Sequence, residues 1–363
     1  MMKKALTVAA VTVLAGTAYA QSTKTDAQTK PAQAAPAQTL NIGDKAPAIN
    51  VETWVKGEPI TGYESGRVYV VEFWATWCGP CIAQMPHLSQ IARTYKDKGV
   101  AVVGVNIWER KYDDKTLDTV KGFVEGKGDD MGYTVAFDGA SKAMDGAFMK
   151  AANRRGIPST FVIDGNANVA WIGHPMWLDA VVEKVVDGTW DYEKGPASIA
   201  ASEEKLSTAF RMASTEPATA LEAFNAVKEM HPSIAHMYED LYFNLLLTNG
   251  QFNKAYGLGE ELVQGAMSAK DANKLNAIAW AIVNPEAAIE KRDLNLASKA
   301  AENADKISGG ESPAIMDTLA RVYFLKGEID RAIEIQTKAV ELVPERAKEQ
   351  YTKALNEYKA AKK

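Results

Sequence analysis

Two cysteines separated by two residues are the side chains of this sequence best suited to chemistry. Cys78 and Cys81 are the only cysteines in the 363-residue chain and lie in the segment 77–81, Trp-Cys-Gly-Pro-Cys. The apolar run at residues 68–74 predicts a β-strand, and the pattern after the first cysteine predicts an amphipathic helix. A helix N-terminus has unpaired N–H groups and the positive end of the helix dipole, which favour a thiolate at Cys78. We therefore predict that Cys78 is the nucleophile of a thiol–disulfide exchange and that Cys81 resolves the mixed disulfide.

Half of a metal site and a structural disulfide are the alternatives for this pair. A closed zinc site normally needs four cysteine or histidine ligands, and the four histidines of the chain do not have zinc-finger spacing. A disulfide between Cys78 and Cys81 would close a loop too short to restrain the unfolded chain much. The sequence therefore predicts a catalytic pair, with no metal and no cofactor beyond the redox-active disulfide itself.

The cysteines belong to a longer pattern, Phe-Trp-Ala-Thr-Trp-Cys-Gly-Pro-Cys at residues 73–81. This pattern resembles the active site of thioredoxin, in the version carried by bacterial extracytoplasmic TlpA-type thiol:disulfide oxidoreductases of the redoxin family. Glu72 stands six residues before Cys78, where these proteins keep a buried acid. The segment 156–160, Gly-Ile-Pro-Ser-Thr, resembles the cis-proline loop that faces their cysteines. The resemblance covers less than half of the chain.

Glu72 lies inside a run that is otherwise apolar. If its side chain points into the protein, burial raises its pKa and suits it to move a proton to or from Cys81. The alternative is that strand alternation points Glu72 to solvent as an ordinary polar residue. The resemblance favours the catalytic role.

The resemblance also implies which residues bind substrate. Pro158 is expected in the cis form, with Ile157 offering its backbone N–H and C=O to an extended substrate chain. Trp77 is expected to shape the rim around the nucleophile, and Gly79 and Pro80 form the dipeptide of reducing thioredoxins. Three other residues that could border the site, Trp108, Glu109 and His174, are predicted to be structural or exposed to solvent.

The first part of the chain predicts export. Residues 1–20 combine two lysines, an apolar run and Ala-Tyr-Ala, which are the features of a secretory signal peptide; a retained membrane anchor is the alternative. Residues 21–39 contain almost no large apolar side chain and are predicted to be a disordered linker. A formal net charge of −5 without a basic run argues against nucleic acid as a partner. We therefore expect a soluble periplasmic protein.

Two folded regions are predicted after the linker. Alternating strand and helix patterns predict an α/β thioredoxin-like domain at 40–195, and its first residues resemble the N-terminal β-hairpin extension of TlpA-type proteins. Residues 196–363 have helical periodicity throughout and predict an all-α domain of roughly eight helices. Small residues such as Ala332 and Ala339 resemble a degenerate tetratricopeptide repeat, which suggests a protein partner for this domain.

The combined prediction is a periplasmic protein-disulfide reductase. Since the chain has a single cysteine pair, a membrane thiol-transfer protein is expected to recharge it, and disulfides of exported proteins are its expected substrates. One alternative is a peroxiredoxin-like peroxidase, suggested by Gly-Asp-Lys-Ala-Pro at residues 43–47 but lacking the Pro-x-x-x-Thr-x-x-Cys signature. The other is a non-enzymatic scaffold that uses the helical domain, and the intact cysteines argue against it.

Overall fold

The computed structural model of this chain describes residues 39–362. The predicted signal peptide and all of the predicted linker except its last residue lie outside the described residues. In the described part, one six-stranded sheet is followed by a series of helices. The strands are β1 Thr53–Lys56, β2 Val68–Trp74, β3 Val100–Asn106, β4 Thr134–Phe137, β5 Ser159–Ile163 and β6 Val169–Gly173. The helices that accompany them are α1 Gly79–Thr94, α2 Thr116–Lys127 and α3 Leu178–Val186.

The sheet has the order β1-β4-β3-β2-β5-β6. Strands β2, β3 and β4 are parallel, whereas β5, β6 and β1 each run antiparallel to their neighbours. All seven residues of β2 are buried, because its two faces are both covered, and this explains its nearly continuous apolar run. The predicted thioredoxin-like α/β fold is confirmed.

The two faces of β2 belong to two different hydrophobic cores. Val70 and Trp74 lie in the core that also contains Cys81, whereas Val71 and Phe73 lie in the core on the opposite side of the sheet. Alternate residues of a strand point to opposite faces. The even-numbered residues of β2 therefore face the layer that holds the cysteines.

The N-terminal extension differs from the predicted β-hairpin. It contributes β1, which pairs with β4 at one edge of the sheet, while the N–H of Gly43 donates to the carbonyl of Val169 at the other edge (2.8 Å). Edge strands carry unpaired backbone groups, and the extension satisfies these groups instead of pairing with itself. Gly57 ends β1 with φ +77°, and a Cβ there would lie 2.7 Å from Thr134 Oγ1, so no larger residue fits.

Ten α-helices follow α3 in the described residues, more than the predicted eight. They are α4 Lys194–Met212, α5 Pro217–Met230, α6 Pro232–Met237, α7 Glu239–Thr248, α8 Phe252–Ser268, α9 Ala272–Val283, α10 Leu294–Ser308, α11 Pro313–Leu325, α12 Ile329–Leu342 and α13 Lys348–Ala361. The difference arises partly at Pro232, which begins the short helix α6, because a proline cannot continue α5. Ala332 and Ala339 are fully buried, which lets neighbouring helices approach closely. No described helix has both the length and the apolar character needed to cross a bilayer.

Candidate active site

The two cysteines lie at the start of α1, just beyond the end of the central strand β2. Cys78 is the N-cap residue of α1, and its Sγ lies 3.2 Å from the backbone N–H of Cys81, which donates to it. The two sulfurs form a disulfide with an S–S distance of 2.01 Å. Cys78 is 3% exposed, whereas Cys81 has no exposed surface. An incoming sulfur can therefore reach Cys78 first, which agrees with the predicted division of roles.

The predicted cis-proline loop faces this pair. The peptide bond between Ile157 and Pro158 is cis. The carbonyl oxygen of Ile157 lies 3.7 Å from Cys78 Sγ. A hydrogen bond from Arg154 Nε to Ser159 Oγ (2.9 Å) spans the proline and ties the loop to the start of β5. The structure thus places the backbone of Ile157 beside the exposed edge of the nucleophile.

Glu72 is buried in the sheet, only 1% exposed. It lies on β2 between Val70 and Trp74, and its side chain points to the face that holds Cys81. Burial raises the pKa of Glu72 well above its ordinary value. The alternative orientation toward solvent is wrong, because the carboxyl is enclosed on the face of the sheet that holds Cys81.

Trp77 lies on the rim of the site and is 44% exposed. It is held by Trp108, which the sequence predicts to be structural or exposed to solvent. Its indole Nε1 donates to the carbonyl of Trp108 over 2.8 Å. Trp108 has φ +55°, an unusual backbone conformation for a residue other than glycine, and its own indole donates to Asp145 Oδ1. The hydrogen bonds from Trp77 to Trp108 and from Trp108 to Asp145 therefore hold the exposed Trp77 in place.

Glu109 supports the other side of the same turn. Its carboxylate accepts from the backbone N–H of Thr76 (2.8 Å), from the Thr76 hydroxyl (2.7 Å) and from the side-chain amide of Asn106 (2.8 Å). The one feature of the sequence that points to Glu109 is its position after β3. Because the adjacent strand β2 is parallel to β3, both strands end at the same edge of the sheet. By contrast, His174 accepts from the backbone N–H of Met176, and burial lowers its pKa, as expected for a structural residue.

The first turn of α1 and the rest of the rim contain the remaining predicted residues. Gly79 and Pro80 are exposed next to Cys78, so little side-chain bulk covers the sulfur. A groove of about 500 Å³ runs beside Trp77 and is bordered by Thr76 and Glu109. Of the two sulfurs only Cys78 Sγ is at the surface, while Cys81 and Glu72 are kept away from solvent.

Comparisons with known proteins agree with this geometry. The redoxin family model matches residues 41–176, which include the sheet, the cysteines and the cis-proline loop. The chain is 31% identical over 156 residues to protein FixW of Rhizobium leguminosarum, covering 42% of this chain and 69% of FixW. It is 30% identical over 146 residues to the thiol:disulfide interchange protein HelX of Rhodobacter capsulatus, covering 39% and 74% of the two chains.

A third relative has the same character. The thiol-disulfide oxidoreductase ResA of Bacillus cereus is 31% identical over 133 residues, covering 36% of this chain and 69% of ResA. Helices α4 to α13 lie outside the residues that the family model matches. On the evidence of its fold, its cysteine site and these relatives, the chain belongs to the redoxin family of thioredoxin-like thiol:disulfide oxidoreductases.

Proposed function

We propose that this chain is a periplasmic protein-disulfide reductase whose substrates are disulfides in other exported proteins. The observation that supports this function most directly is the unequal burial of the two sulfurs. Cys78 presents an edge beside the carbonyl of Ile157, and Cys81 is enclosed behind it. The names of the relatives HelX and ResA, which describe thiol:disulfide interchange and oxidoreductase activity, support the same chemistry.

The proposed electron transfer uses the two cysteines alone, with Glu72 as the acceptor of a proton. In the dithiol form, the Cys78 thiolate attacks one sulfur of a substrate disulfide, the substrate S–S bond breaks, and a mixed disulfide forms. Cys81 then loses its proton and attacks Cys78 Sγ, the mixed disulfide breaks, and the second substrate thiolate leaves. Two electrons pass from the protein to the substrate, and the protein returns to the Cys78–Cys81 disulfide. Glu72 is proposed to accept the proton of Cys81.

Substrate binding is proposed to use the cis-proline loop and the rim. An extended substrate segment would pair with the backbone of Ile157 next to Pro158, in the manner of an added strand. Trp77 would contact the same segment from the opposite side, since it is exposed and fixed by its hydrogen bond to Trp108. Gly79 and Pro80 would leave room for the attack and favour the reducing direction.

The redox partners are proposed to be other proteins. The chain contains one cysteine pair, so each turnover must be followed by reduction from an external dithiol, for which we propose a membrane thiol-transfer protein. Helices α4 to α13 are proposed to bind a protein partner, and nucleic acid is not proposed as one.

The Cys81→Ser variant tests this function. If Cys81 resolves the mixed disulfide, its loss should leave substrates covalently attached to Cys78, and mass spectrometry after non-reducing electrophoresis should identify exported proteins. The Cys78→Ser variant is the matched control and should trap few or none. Absence of trapped proteins together with rapid turnover of hydrogen peroxide would favour a peroxidase. Absence of both would favour a scaffold and contradict the proposal.

A further inference from the structure

Among the buried polar atoms of the described residues that have no hydrogen-bond partner, four lie on β2, on β5 or directly before β4. They are Glu72 Oε1, Trp74 Nε1, Tyr133 Oη and Thr160 Oγ1. Unpartnered buried polar groups are costly and rare, and each one needs an explanation. These four belong to β2, to β5 and to the residue before β4, so the sheet itself brings their side chains toward one another.

The sheet register places these groups around Glu72. Gly104 of β3 and Thr160 of β5 are the direct neighbours of Glu72 on its two sides. Gly104 has no side chain, and a Cβ built there would lie 2.9 Å from Tyr133 Cε2 and 3.2 Å from Trp74 Nε1. The ring of Tyr133 and the edge of the Trp74 indole therefore occupy the space that a side chain beside Glu72 would otherwise fill.

No charged group compensates Glu72 within the described residues. Burial is the sole cause that raises its pKa, and neither an acid nor a base of a neighbouring element contributes. The titratable side chains in or against the core on this side of the sheet include the Cys78–Cys81 pair of α1, Tyr95, Tyr112 and Tyr133. The pKa of Tyr133 is raised by burial and then by the charge of Glu72. An ionised Glu72 thus depends on neutral donors for its stabilisation.

We infer that Tyr133 and Trp74 are positioning residues that donate hydrogen bonds to Glu72 when it ionises. By stabilising the ionised carboxylate, they allow Glu72 to exchange a proton with Cys81. This inference rests on the proposed function. When Cys81 attacks the mixed disulfide, its proton moves to a Glu72 carboxylate oxygen, while Tyr133 and Trp74 keep their own protons. Hydrogen bonds to a charged carboxylate favour the charged form, so two such donors oppose the effect of burial.

The pH profile of the resolving step tests the inference. The experiment is a single turnover of full-length protein that carries a model mixed disulfide on Cys78. The rate at which Cys81 resolves this disulfide should rise with pH through a midpoint set by Glu72. This rising limb of the pH–rate profile should disappear in Glu72→Gln. Tyr133→Phe removes one oxygen atom and should move the midpoint upward by about one pH unit, the scale of one lost hydrogen bond to a charge.

The matched control is Tyr69→Phe. Tyr69 is also a buried tyrosine, but it lies on the opposite face of β2, where its hydroxyl accepts from the N–H of Glu64 (3.0 Å). The Tyr69→Phe variant should leave the pH midpoint of the resolution rate unchanged. An unchanged midpoint in Tyr133→Phe with the limb absent in Glu72→Gln would overturn the inference and leave the proposed function standing. Wild-type protein without disulfide exchange would instead overturn the proposed function.

A measurement on wild-type protein keeps the inference testable if Tyr133→Phe does not fold. With ¹⁵N-labelled tryptophan, the indole resonance of Trp74 should titrate together with Glu72 in the reduced protein and should not titrate in Glu72→Gln. A Trp74 resonance that is insensitive to pH across the range where the resolution rate changes would contradict the hydrogen bond.

Discussion

At the scale of single residues, one carboxylate holds the turn that carries Cys78. Glu109 accepts both the backbone N–H and the hydroxyl of Thr76, two residues before Cys78. The same turn is closed by the N–H of Cys78, which donates to the carbonyl of Ala75 (3.1 Å). The position of the exposed sulfur therefore depends on a side chain from the end of the neighbouring strand.

Replacing Glu109 by alanine should weaken this turn. The Thr76 N–H would lose its partner in a half-buried position, which we expect to cost about 1 kcal/mol of unfolding free energy. Because the turn also positions Trp77, attack by Cys78 on a protein disulfide should slow severalfold. Denaturant unfolding and stopped-flow kinetics measure the two effects. Glu125→Ala on α2, an exposed glutamate, is the control. Unfolding at lower denaturant with an unchanged rate of attack would show that Glu109 has a purely structural role.

The sequence predicts some residues of the site better than others. Cys78, Cys81 and Pro158 are recognised from local motifs, whereas the burial of Glu72 is favoured only by the family resemblance, because strand alternation alone leaves a solvent-facing orientation open. Glu109 and Tyr133 are not recognisable in this way, because each has meaning only through a neighbouring strand in the folded sheet. Their contribution depends on strand register, which a single sequence does not specify.

At the scale of elements, α1 is fastened to the turn that precedes β4. Ser89 is fully buried in the middle of α1, where its hydroxyl donates to the carbonyl of Asp130 (2.6 Å) and accepts from the N–H of Gly132 (2.7 Å). The residue after Gly132 is Tyr133, which lies in the cluster around Glu72. One serine therefore fixes the active-site helix to the segment that places this tyrosine.

Ser89→Ala should remove this attachment without touching the cysteines. It leaves one buried N–H and one buried carbonyl without their partner, which we expect to cost about 1–3 kcal/mol of unfolding free energy. Thermal and denaturant unfolding measure this cost. Ser268→Ala provides the control, because that serine is exposed near the end of α8 and bonds to the carbonyl four residues earlier. Equal stability of the two variants would contradict the proposed attachment.

Elements were predictable where the pattern was local. The sequence places β2 at its observed bounds, 68–74, and predicts the helix that begins after the first cysteine, since the one is an apolar and the other an amphipathic run. It does not place β1, because β1 pairs with β4 about 80 residues later, and a hairpin is the simplest local alternative. Pro232 similarly divides a helical stretch that periodicity alone counts as continuous.

At the scale of the whole molecule, the helices after α3 pack against the segment 175–177 that follows β6, and their buried residues belong to the same hydrophobic core as one face of the sheet. The indole ring of Trp177 contacts the imidazole of His231 edge to face, with ring centroids 5.1 Å apart. His231 Nε2 also lies 3.2 Å from Ser202 Oγ on α4, and the Tyr238 hydroxyl lies 3.8 Å from Met176 Sδ. Residues from 39 onward accordingly form one compact unit. Changes at this interface should therefore affect the stability of the entire unit.

The interface should make stability depend on pH. Burial, and then the charge of Lys184, lower the pKa of His231 below its ordinary value of 6.5. The unfolded chain therefore binds a proton at this residue more readily than the folded chain does. His231 contributes its full share of stability above pH 6.5, and this share is lost as the pH falls below that value. His174 acts in the same direction, because burial lowers its pKa too.

The His231→Gln variant isolates this contribution. Between pH 7 and pH 5, the unfolding free energy of the wild type should fall more steeply than that of His231→Gln, because the variant has no imidazole to protonate on unfolding. Denaturant unfolding at several pH values gives both curves. His236→Gln is the comparison variant, since His236 lies on α6 outside this interface, with its side chain 80% exposed. Parallel curves for His231→Gln and wild type would mean that the interface holds no buried neutral imidazole.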